Sequence, residues 1–311
     1  MTDGGAMAAA PLRPPAVVLW WKALRAYAFP ASIVPCLVGA AFAAWAKAPV
    51  AWWQLPLVLL AGMLLHVGTN LVNDAADFAK GVDAPGAQGG SGVLAAGWVT
   101  VRQVYMAAFI AFGLSAVAGL PVLLVRGWPL FAIGVAGAVG GYAYTGPPFG
   151  LKYKALGEIW VFAFMGTLMM AGTAYALSGS FPAAVWEASI PVGFLVAAIL
   201  ATNNQRDLPE DGKQPIRTLA ILLGPAGAKA VSFGLILGGY VSVPVLWLLG
   251  RVPAWSLLAL ATLPLAIPPV RGILATRADR PMASGTVERV AALDMFFGIA
   301  YAAGFVVAAL V

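Results

Sequence analysis

Long apolar stretches alternate with short polar connections along this chain. About nine stretches reach the length of roughly 20 residues that a membrane-spanning helix needs. They cover residues 28–47, 54–74, 102–124, 128–146, 157–178, 188–206, 228–249, 255–275 and 292–311. Because backbone polar groups find no water inside a bilayer, stretches of this kind are expected to be helical. The pattern predicts an all-α integral membrane protein, a bundle of about nine transmembrane helices around a central cavity that opens at the cytoplasmic face.

Composition agrees with a membrane protein, since 61% of the residues are hydrophobic and only 10% are charged. We expect residues 1–311 to form one transmembrane domain, with residues 1–27 as an N-terminal leader and interfacial segment. No basic region precedes a short apolar stretch in this leader, so we do not expect a cleaved signal peptide. The single cysteine, Cys36, excludes an intramolecular disulfide and a cysteine-rich metal site.

The charges predict an orientation. With a cytoplasmic N-terminus, all of the 18 Lys and Arg residues lie inside except Lys47, Arg126 and Arg251, as the positive-inside rule requires. Of the 12 acidic residues, only Glu187 lies outside. The net charge of +6 is therefore an orientation signal and does not indicate nucleic-acid binding. We predict a multi-pass protein of the cell (inner) membrane with its active site on the cytoplasmic side.

A first polar motif follows the second apolar stretch and reads NLVNDAADFAKGVD, residues 70–83. Residues three and four apart share one face of a helix. His66, Asn70, Asn73 and Asp77 therefore form one stripe. His66 is the only histidine, and the pattern leaves open whether it meets a substrate or is a satisfied polar residue within the bundle.

A second polar motif follows the sixth stretch, where Asn203, Asp207 and Asp211 repeat the spacing of four. The recurrence after four intervening helices indicates a parallel internal duplication. If the two motifs meet, each carboxylate pair about 6 Å apart repels by roughly 3 kcal/mol at an effective dielectric constant near 20. A cation must offset that repulsion.

Hard carboxylate and amide oxygens favour Mg²⁺, which commonly shares its coordination shell with substrate phosphates. Basic residues flank both motifs, namely Lys80, Lys152, Lys154, Arg206, Lys213 and Arg217. Acids, a metal and surrounding bases are typical of a diphosphate site. The alternative is that these residues are solvated charges of the inner loops.

Both motifs resemble the two Asp-rich motifs of the UbiA-type intramembrane prenyltransferases, the second one reading NNQRDLPEDGKQPIRTLAILLG. Two further segments, WWKALRAYAFPASIVPCLVGA and YTGPPFGLKYKALGE, are most similar to the 1,4-dihydroxy-2-naphthoate prenyltransferases of menaquinone biosynthesis. The resemblance covers nearly the whole chain. It implies transfer of a polyprenyl group from a polyprenyl diphosphate to an aromatic acid or phenol acceptor, with loss of carbon dioxide from a naphthoate.

The resemblance also implies residue roles. Asn73, Asp77, Asp207 and Asp211 would be catalytic, and Mg²⁺ held there would neutralise the leaving diphosphate. The implied metal ligands are Asn73, Asp74, Asp77, Asp83, Asp207 and Asp211. Lys152, Arg206 and Arg217 would contact the diphosphate. Asn70 lies on the same stripe, and Tyr142, Tyr144 and Tyr153 offer aromatic faces that can stabilise an allylic cation.

The chain departs from the family pattern at three places. Gly81 stands where many members have a third aspartate, which Asp83 would supply. Gly92 stands where relatives often carry arginine. Pro215 and Ile216 replace a frequent Gly-Lys pair, which leaves Arg217 as the positive charge there.

The sequence is also compatible with other functions. The acceptor could be 4-hydroxybenzoate or a haem or chlorophyll precursor. A cation-coupled transporter also clusters acids, although near the bilayer midplane, whereas these acids lie at helix ends. A CDP-alcohol phosphotransferase would need a compact run of Asp, Gly, Ala and Arg that this sequence lacks. Prenyl chain length and oligomeric state have no signature in the sequence.

Overall fold

The protein is helical throughout, as the computed structural model shows for residues 12–82, 89–277 and 279–311. The α-helices are α1 (Ala16–Ala23), α2 (Pro30–Trp45), α3 (Leu55–Ala79), α4 (Val101–Arg126), α5 (Trp128–Thr145), α6 (Gly157–Val161), α7 (Met169–Ser178), α8 (Ala184–Ala188), α9 (Ile190–Asp211), α10 (Leu219–Leu248), α11 (Leu263–Ala275) and α12 (Thr286–Leu310). Short 3₁₀ segments are Ala26–Ala28, Trp52–Gln54, Leu151–Tyr153 and Ala254–Thr262, and a π-helical stretch, Phe162–Leu168, joins α6 to α7. The predicted all-α class is confirmed.

Within the described residues, 7 helical stretches are long and apolar enough to cross a membrane. The count rises to 8 if residues 16–28 and α2, bent by 52° at their junction, form one span. The remaining predicted stretch forms α5, which has 18 residues and is not among these 7. The predicted count of about nine is therefore not confirmed.

Helices α3 and α9 run beyond the apolar stretches that predicted them. The predicted ends were residues 74 and 206, whereas α3 continues to Ala79 and α9 to Asp211. A helix satisfies its backbone groups internally, so it can continue while its polar side chains turn towards a cavity. As a result, Asn73, Asp77, Asn203, Asp207 and Asp211 lie on the final turns of a helix rather than in loops.

Helix α10 begins well before the predicted residue 228. The hydroxyl of Thr218 accepts a hydrogen bond from the backbone N–H of Ile221 at 3.3 Å and caps the helix start. Gly224 has the non-helical angles φ 66° and ψ −177° ahead of Pro225, so α10 consists of two helical parts joined at a kink. The part after the kink begins close to the predicted residue, and the part before it was not predicted.

Small residues allow close packing where the site is anchored. A Cβ atom added at Gly166, in the π-helical stretch, would lie 2.3 Å from the Cα atom of Gly193 in α9. On the other side of the bundle, a Cβ at Gly298 in α12 would lie 2.3 Å from Val34 of α2. The first of these contacts fixes the backbone of α9, which carries the second polar motif.

The far end of the bundle is held by Arg126, at the end of α4. Its guanidinium donates to the carbonyl oxygens of Ala176 and Leu177, both at 2.6 Å, and to Oε1 of Gln54 at 3.1 Å. Since α4 begins near the end of α3, this cluster and the acidic motifs occupy opposite ends of the bundle.

Candidate active site

The two acidic motifs line one small cavity at the end of α3 and α9. This polar cavity has a volume of about 40 Å³. Its charged and amide side chains are Arg25, Asn73, Asp77, Lys152, Asn203, Asn204, Arg206, Asp207 and Asp211. Asp77 and Asp207, more than a hundred residues apart in the chain, therefore face the same space.

Asp77 is the centre of the first motif and is only 2% exposed. Its carboxylate accepts hydrogen bonds from Nζ of Lys152 at 2.8 Å, from the hydroxyl of Tyr153 at 2.6 Å and from Nδ2 of Asn73 at 2.7 Å. These contacts join α3 to the loop between α5 and α6.

The same contacts fix the protonation of the loop residues. Burial opposes the charged form of Lys152, but the Asp77 carboxylate outweighs it and raises the pKa of Lys152 above its ordinary value. Burial and the nearby Asp77 charge both raise the pKa of Tyr153. At neutral pH the loop therefore presents an ammonium and a phenol that donates its proton.

A backbone clamp holds this loop in place. The backbone N–H of Arg217 donates to the carbonyl oxygen of Tyr153 at 3.3 Å, and that of Ala155 donates to the carbonyl oxygen of Arg217 at 2.8 Å. The segment after α9 thus positions Lys152 and Tyr153. The side chain of Arg217 is exposed, so the structure links this residue to the site through its backbone.

The second motif is held by its own charge pair. Arg206 donates to both oxygens of Asp207, from Nε at 2.7 Å and from a terminal nitrogen at 2.9 Å. Beside it, Nδ2 of Asn204 donates to the buried carboxylate of Glu158 at 2.9 Å, which ties α9 to α6. Each of Asp77 and Asp207 therefore has a basic partner within the cavity.

Arg25 is a site residue that the sequence analysis did not predict. It forms an ion pair with Asp74 and donates to Oδ1 of Asn73 at 3.3 Å. Its backbone has φ 51°, in the left-handed region, at the bend that follows α1. Asp74 also accepts from the backbone N–H of Ser91 at 3.2 Å, so this pair joins the N-terminal segment, α3 and the loop before α4.

A second space, the central cavity, adjoins the polar cavity deeper in the bundle. It has a volume of about 130 Å³ and shares Arg25, Asn73, Tyr144, Leu200 and Asn203 with the polar cavity. Aromatic side chains of Tyr27, Tyr144, Trp160 and Phe164 line it together with His66 and Asn70. Buried atoms of two amides, Nδ2 of Asn70 and Oδ1 of Asn203, have no hydrogen-bond partner among the described residues.

A third space, the apolar cleft, continues from the central cavity between α3, α4, α5 and α7. It has a volume of about 380 Å³ and shares Leu65, Gly137, Phe164 and Met169 with the central cavity. Phe131 and Leu120 on its wall are exposed at the surface of the bundle. Polar cavity, central cavity and apolar cleft therefore form a series that runs from charged to predominantly apolar walls.

The remaining predicted residues have separate positions. The hydroxyl of Tyr142 donates to the carbonyl oxygen of Pro147 at 3.0 Å, and its ring stacks on Phe109. Tyr142 therefore contacts the loop between α5 and α6 and is not among the residues that line the polar cavity, the central cavity or the apolar cleft. Asp83 lies outside the described residues. Gly92 has φ 74° with nothing within 4 Å of an added Cβ atom.

The donor set of the polar cavity fits a hard divalent cation. Residues 12–82, 89–277 and 279–311 contain no group of three His, Cys, Asp or Glu side chains that could hold a metal ion by themselves. Mg²⁺ does not require one, because it is usually held by one or two carboxylates together with substrate phosphates and water. Asp77, Asp207, Asp211 and the amide oxygen of Asn73 are the ligands available there.

Comparison with known proteins agrees with the motifs. Residues 32–274 match the model of the UbiA prenyltransferase family. The chain is 31% identical over 266 residues to a 1,4-dihydroxy-2-naphthoate octaprenyltransferase of Mycobacterium tuberculosis, covering 86% of each chain. It is 26% identical over 311 residues to the enzyme of the same name from Bacillus subtilis, covering 98% of each.

Solved structures share the fold. A UbiA homolog from Archaeoglobus fulgidus, bound to GPP and Mg²⁺, has a TM-score of 0.62 at 18% identity and covers 92% of this chain and 99% of its own. The apo structure of a UbiA homolog from Aeropyrum pernix has a TM-score of 0.63 at 18% identity, covering 89% and 97%. The resemblance seen in the motifs is thus confirmed, and this multi-pass membrane protein belongs to the UbiA prenyltransferase family.

Proposed function

We propose that this protein transfers a polyprenyl group from a polyprenyl diphosphate to 1,4-dihydroxy-2-naphthoate, with loss of carbon dioxide, as a step of menaquinone biosynthesis. The observation that carries the proposal is the order of the three adjoining spaces. A polyprenyl diphosphate has a polyanionic head, a reactive allylic carbon and a hydrocarbon tail. The polar cavity, the central cavity and the apolar cleft offer matching surroundings in that order.

The diphosphate head belongs in the polar cavity. Arg25, Lys152 and Arg206 supply positive charge there, and each is now paired with a carboxylate or amide of the site. When the head binds, these cations donate to phosphate oxygens, and Asp77, Asp207, Asp211 and Asn73 become available as Mg²⁺ ligands. The bound Mg²⁺ would supply Lewis-acid stabilisation of the departing diphosphate.

The chain's own residues then favour ionisation of the allylic carbon. Lys152 stays charged because of its raised pKa, so it neutralises negative charge that develops on the leaving oxygen. Tyr144 lies on the wall common to the polar and central cavities, where its ring face can stabilise an allylic cation. The apolar lining excludes water that would otherwise capture that cation.

The naphthoate acceptor is supported by the curated relatives, which carry that name at 26% and 31% identity. Their names concern those proteins, and the acceptor of this chain follows from similarity together with an aromatic central cavity. We further propose that the active site faces the cytoplasm of the inner membrane, since the basic residues concentrate at the same end of the bundle.

The first test is removal of single carboxylates. We expect Asp77→Asn and Asp207→Asn each to reduce prenyl transfer by at least about 100-fold, because each loses a metal ligand and a charge partner. The matched control is Glu210→Gln, an exposed acid beside Asp207 that pairs with Lys213 at the surface, and it should leave the rate unchanged.

The assay uses purified full-length protein, radiolabelled polyprenyl diphosphate, Mg²⁺ and parallel acceptors, namely dihydroxynaphthoate and 4-hydroxybenzoate. Product with hydroxybenzoate alone would replace the proposed acceptor by the alternative one. Full activity of both Asn variants would contradict the proposed role of the polar cavity.

A further inference from the structure

His66 lies on the wall of the central cavity and has a defined hydrogen-bond arrangement. Its side chain is 5% exposed, and its Nδ1 atom lies 3.2 Å from the hydroxyl oxygen of Ser32. The same hydroxyl lies 3.1 Å from the carbonyl oxygen of Phe29, to which it can donate its single hydrogen. In that arrangement the hydrogen between Ser32 and His66 comes from Nδ1.

This arrangement fixes the tautomer of the ring. A neutral imidazole with its hydrogen on Nδ1 has an unprotonated Nε2 that accepts hydrogen bonds. No described residue donates a hydrogen bond to Nε2. The ring of Phe29 lies edge-on to His66 with centroids 6.5 Å apart, which holds the ring plane in place.

One guanidinium, that of Arg25, lines the same cavity. The other titratable groups on the described wall of the central cavity are the phenols Tyr27 and Tyr144, and no carboxylate lines it within that part of the chain. His66 is thus the basic group of a cavity whose other polar groups are amides, phenols and a guanidinium.

We propose that His66 is a catalytic residue, the general base that accepts the hydroxyl proton of the aromatic acceptor during prenyl transfer. This inference rests on the proposed function. The acceptor lies in the central cavity, with its polar edge towards the unpartnered amide atoms of Asn70 and Asn203 and one hydroxyl donating to Nε2 of His66.

In the proposed step, a ring carbon of the acceptor forms a bond to C1 of the prenyl group, and the electrons of the C1–O bond leave with the diphosphate. The hydroxyl O–H bond breaks, its proton goes to Nε2, and its electrons form the carbonyl of a neutral ring ketone. The carboxylate on that ring carbon then leaves as carbon dioxide, its bonding electrons restore the aromatic ring, and the ring oxygen takes the proton back from the imidazolium.

The test compares His66→Gln with wild-type full-length protein in single-turnover assays with polyprenyl diphosphate and 1,4-dihydroxy-2-naphthoate. General-base catalysis contributes about 10² to 10⁴ in rate, so we expect a loss of at least about 100-fold, with the affinity for the diphosphate unchanged. An acceptor analogue with a more acidic hydroxyl should reduce the defect, because it needs less help to lose its proton. Added imidazole should restore part of the rate of His66→Ala.

Ser32→Ala provides a second variant that keeps the histidine. It removes the partner that fixes the tautomer, so we expect a smaller loss than in His66→Gln, again with diphosphate affinity unchanged. The wild-type protein should also show a normal solvent deuterium isotope effect on the transfer step, a readout that does not depend on variant folding.

The outcomes separate the two proposals. If the wild-type protein prenylates dihydroxynaphthoate and His66→Gln keeps its rate, the base assignment is overturned while the proposed function stands. An equal defect with all acceptors, without rescue by imidazole and without an isotope effect, would also overturn it. If the wild-type protein prenylates no aromatic acceptor, the proposed function itself fails.

Discussion

Basic side chains pair with the carboxylates of the polar cavity. Lys152 pairs with Asp77 and Arg206 pairs with Asp207, at 2.8 and 2.7 Å. Both pairs are largely buried, and breaking such a pair by removing one partner leaves an uncompensated charge. Under the proposed function, the same cations serve the acids and the bound diphosphate in turn.

Lys152 gives a residue-scale prediction. We expect Lys152→Met to weaken polyprenyl diphosphate binding by about 1.5–3 kcal/mol, the usual range for a hydrogen bond to a charged group. The affinity is measured by competition with labelled diphosphate. The control is Lys154→Met, an exposed neighbour two residues on, which should bind normally, and equal losses in both variants would contradict a specific role for Lys152.

At the scale of single residues, helix periodicity in the sequence predicts which side chains share one face of a helix. The stripe from His66 to Asp77 follows from spacing along α3, and the structure has His66, Asn70 and Asn73 on the wall of the central cavity. Periodicity does not place Arg25. Its contact with Asp74 depends on the bend after α1 and on a left-handed backbone at Arg25 itself, and a short polar segment ahead of a span gives no signal for either.

The helix that carries the second motif, α9, makes a close backbone contact with the π-helical stretch. The π-helical stretch meets α9 at Gly166 and Gly193, where there is no room for a Cβ atom. Helix α9 carries Asp207 and Asp211 at its far end. A displacement at Gly193 is therefore transmitted along a rigid helix to the polar cavity.

Gly166→Ala tests this contact. We expect it to destabilise the protein by at least about 1–3 kcal/mol, the cost of overpacking, and to lower activity because α9 must move. The measurement is thermal unfolding in detergent beside the transfer rate. The control is Gly113→Ala, where an added Cβ atom meets nothing within 4 Å. Unchanged melting of Gly166→Ala would show that the helices separate easily.

The presence of the long helices could be predicted, because the length of an apolar stretch determines whether it forms a spanning helix. The residues at which those helices begin and end could not. Thr218 and Gly224 show why. The Gly-Pro pair indicates a break by local propensity, and the structure has that break at Gly224, but a further helical part capped by Thr218 precedes it. Likewise, the polar ends of α3 and α9 continue as helix because a cavity receives their side chains.

At the scale of the whole molecule, the apolar cleft predicts selectivity for tail length. Gly134 lines the cleft, and a side chain there meets no protein atom within 4 Å of its Cβ. We expect Gly134→Leu to fill the cleft and to slow transfer from long polyprenyl diphosphates while sparing geranyl diphosphate. Gly113→Leu, on the exposed surface of α4, is the control. Equal rates for all tail lengths would place the tail elsewhere.

The orientation is tested by labelling single cysteines in intact cells. In a Cys36→Ala background, a membrane-impermeant maleimide should label Ala254→Cys, at the end of the bundle that carries Arg126 and Arg251. It should label Lys154→Cys only after permeabilisation. Both positions are exposed. The reverse pattern would invert the orientation predicted from the positive charges.

The order of the three spaces has a consequence for how the reaction ends. Under the proposed function, one product is a water-soluble anion and the other is an oily quinol precursor. The diphosphate leaves through the polar cavity, whereas the quinol precursor leaves through the apolar cleft, between α4 and α5, into the lipid. Because the two products enter different phases, water and lipid, the reverse reaction is opposed.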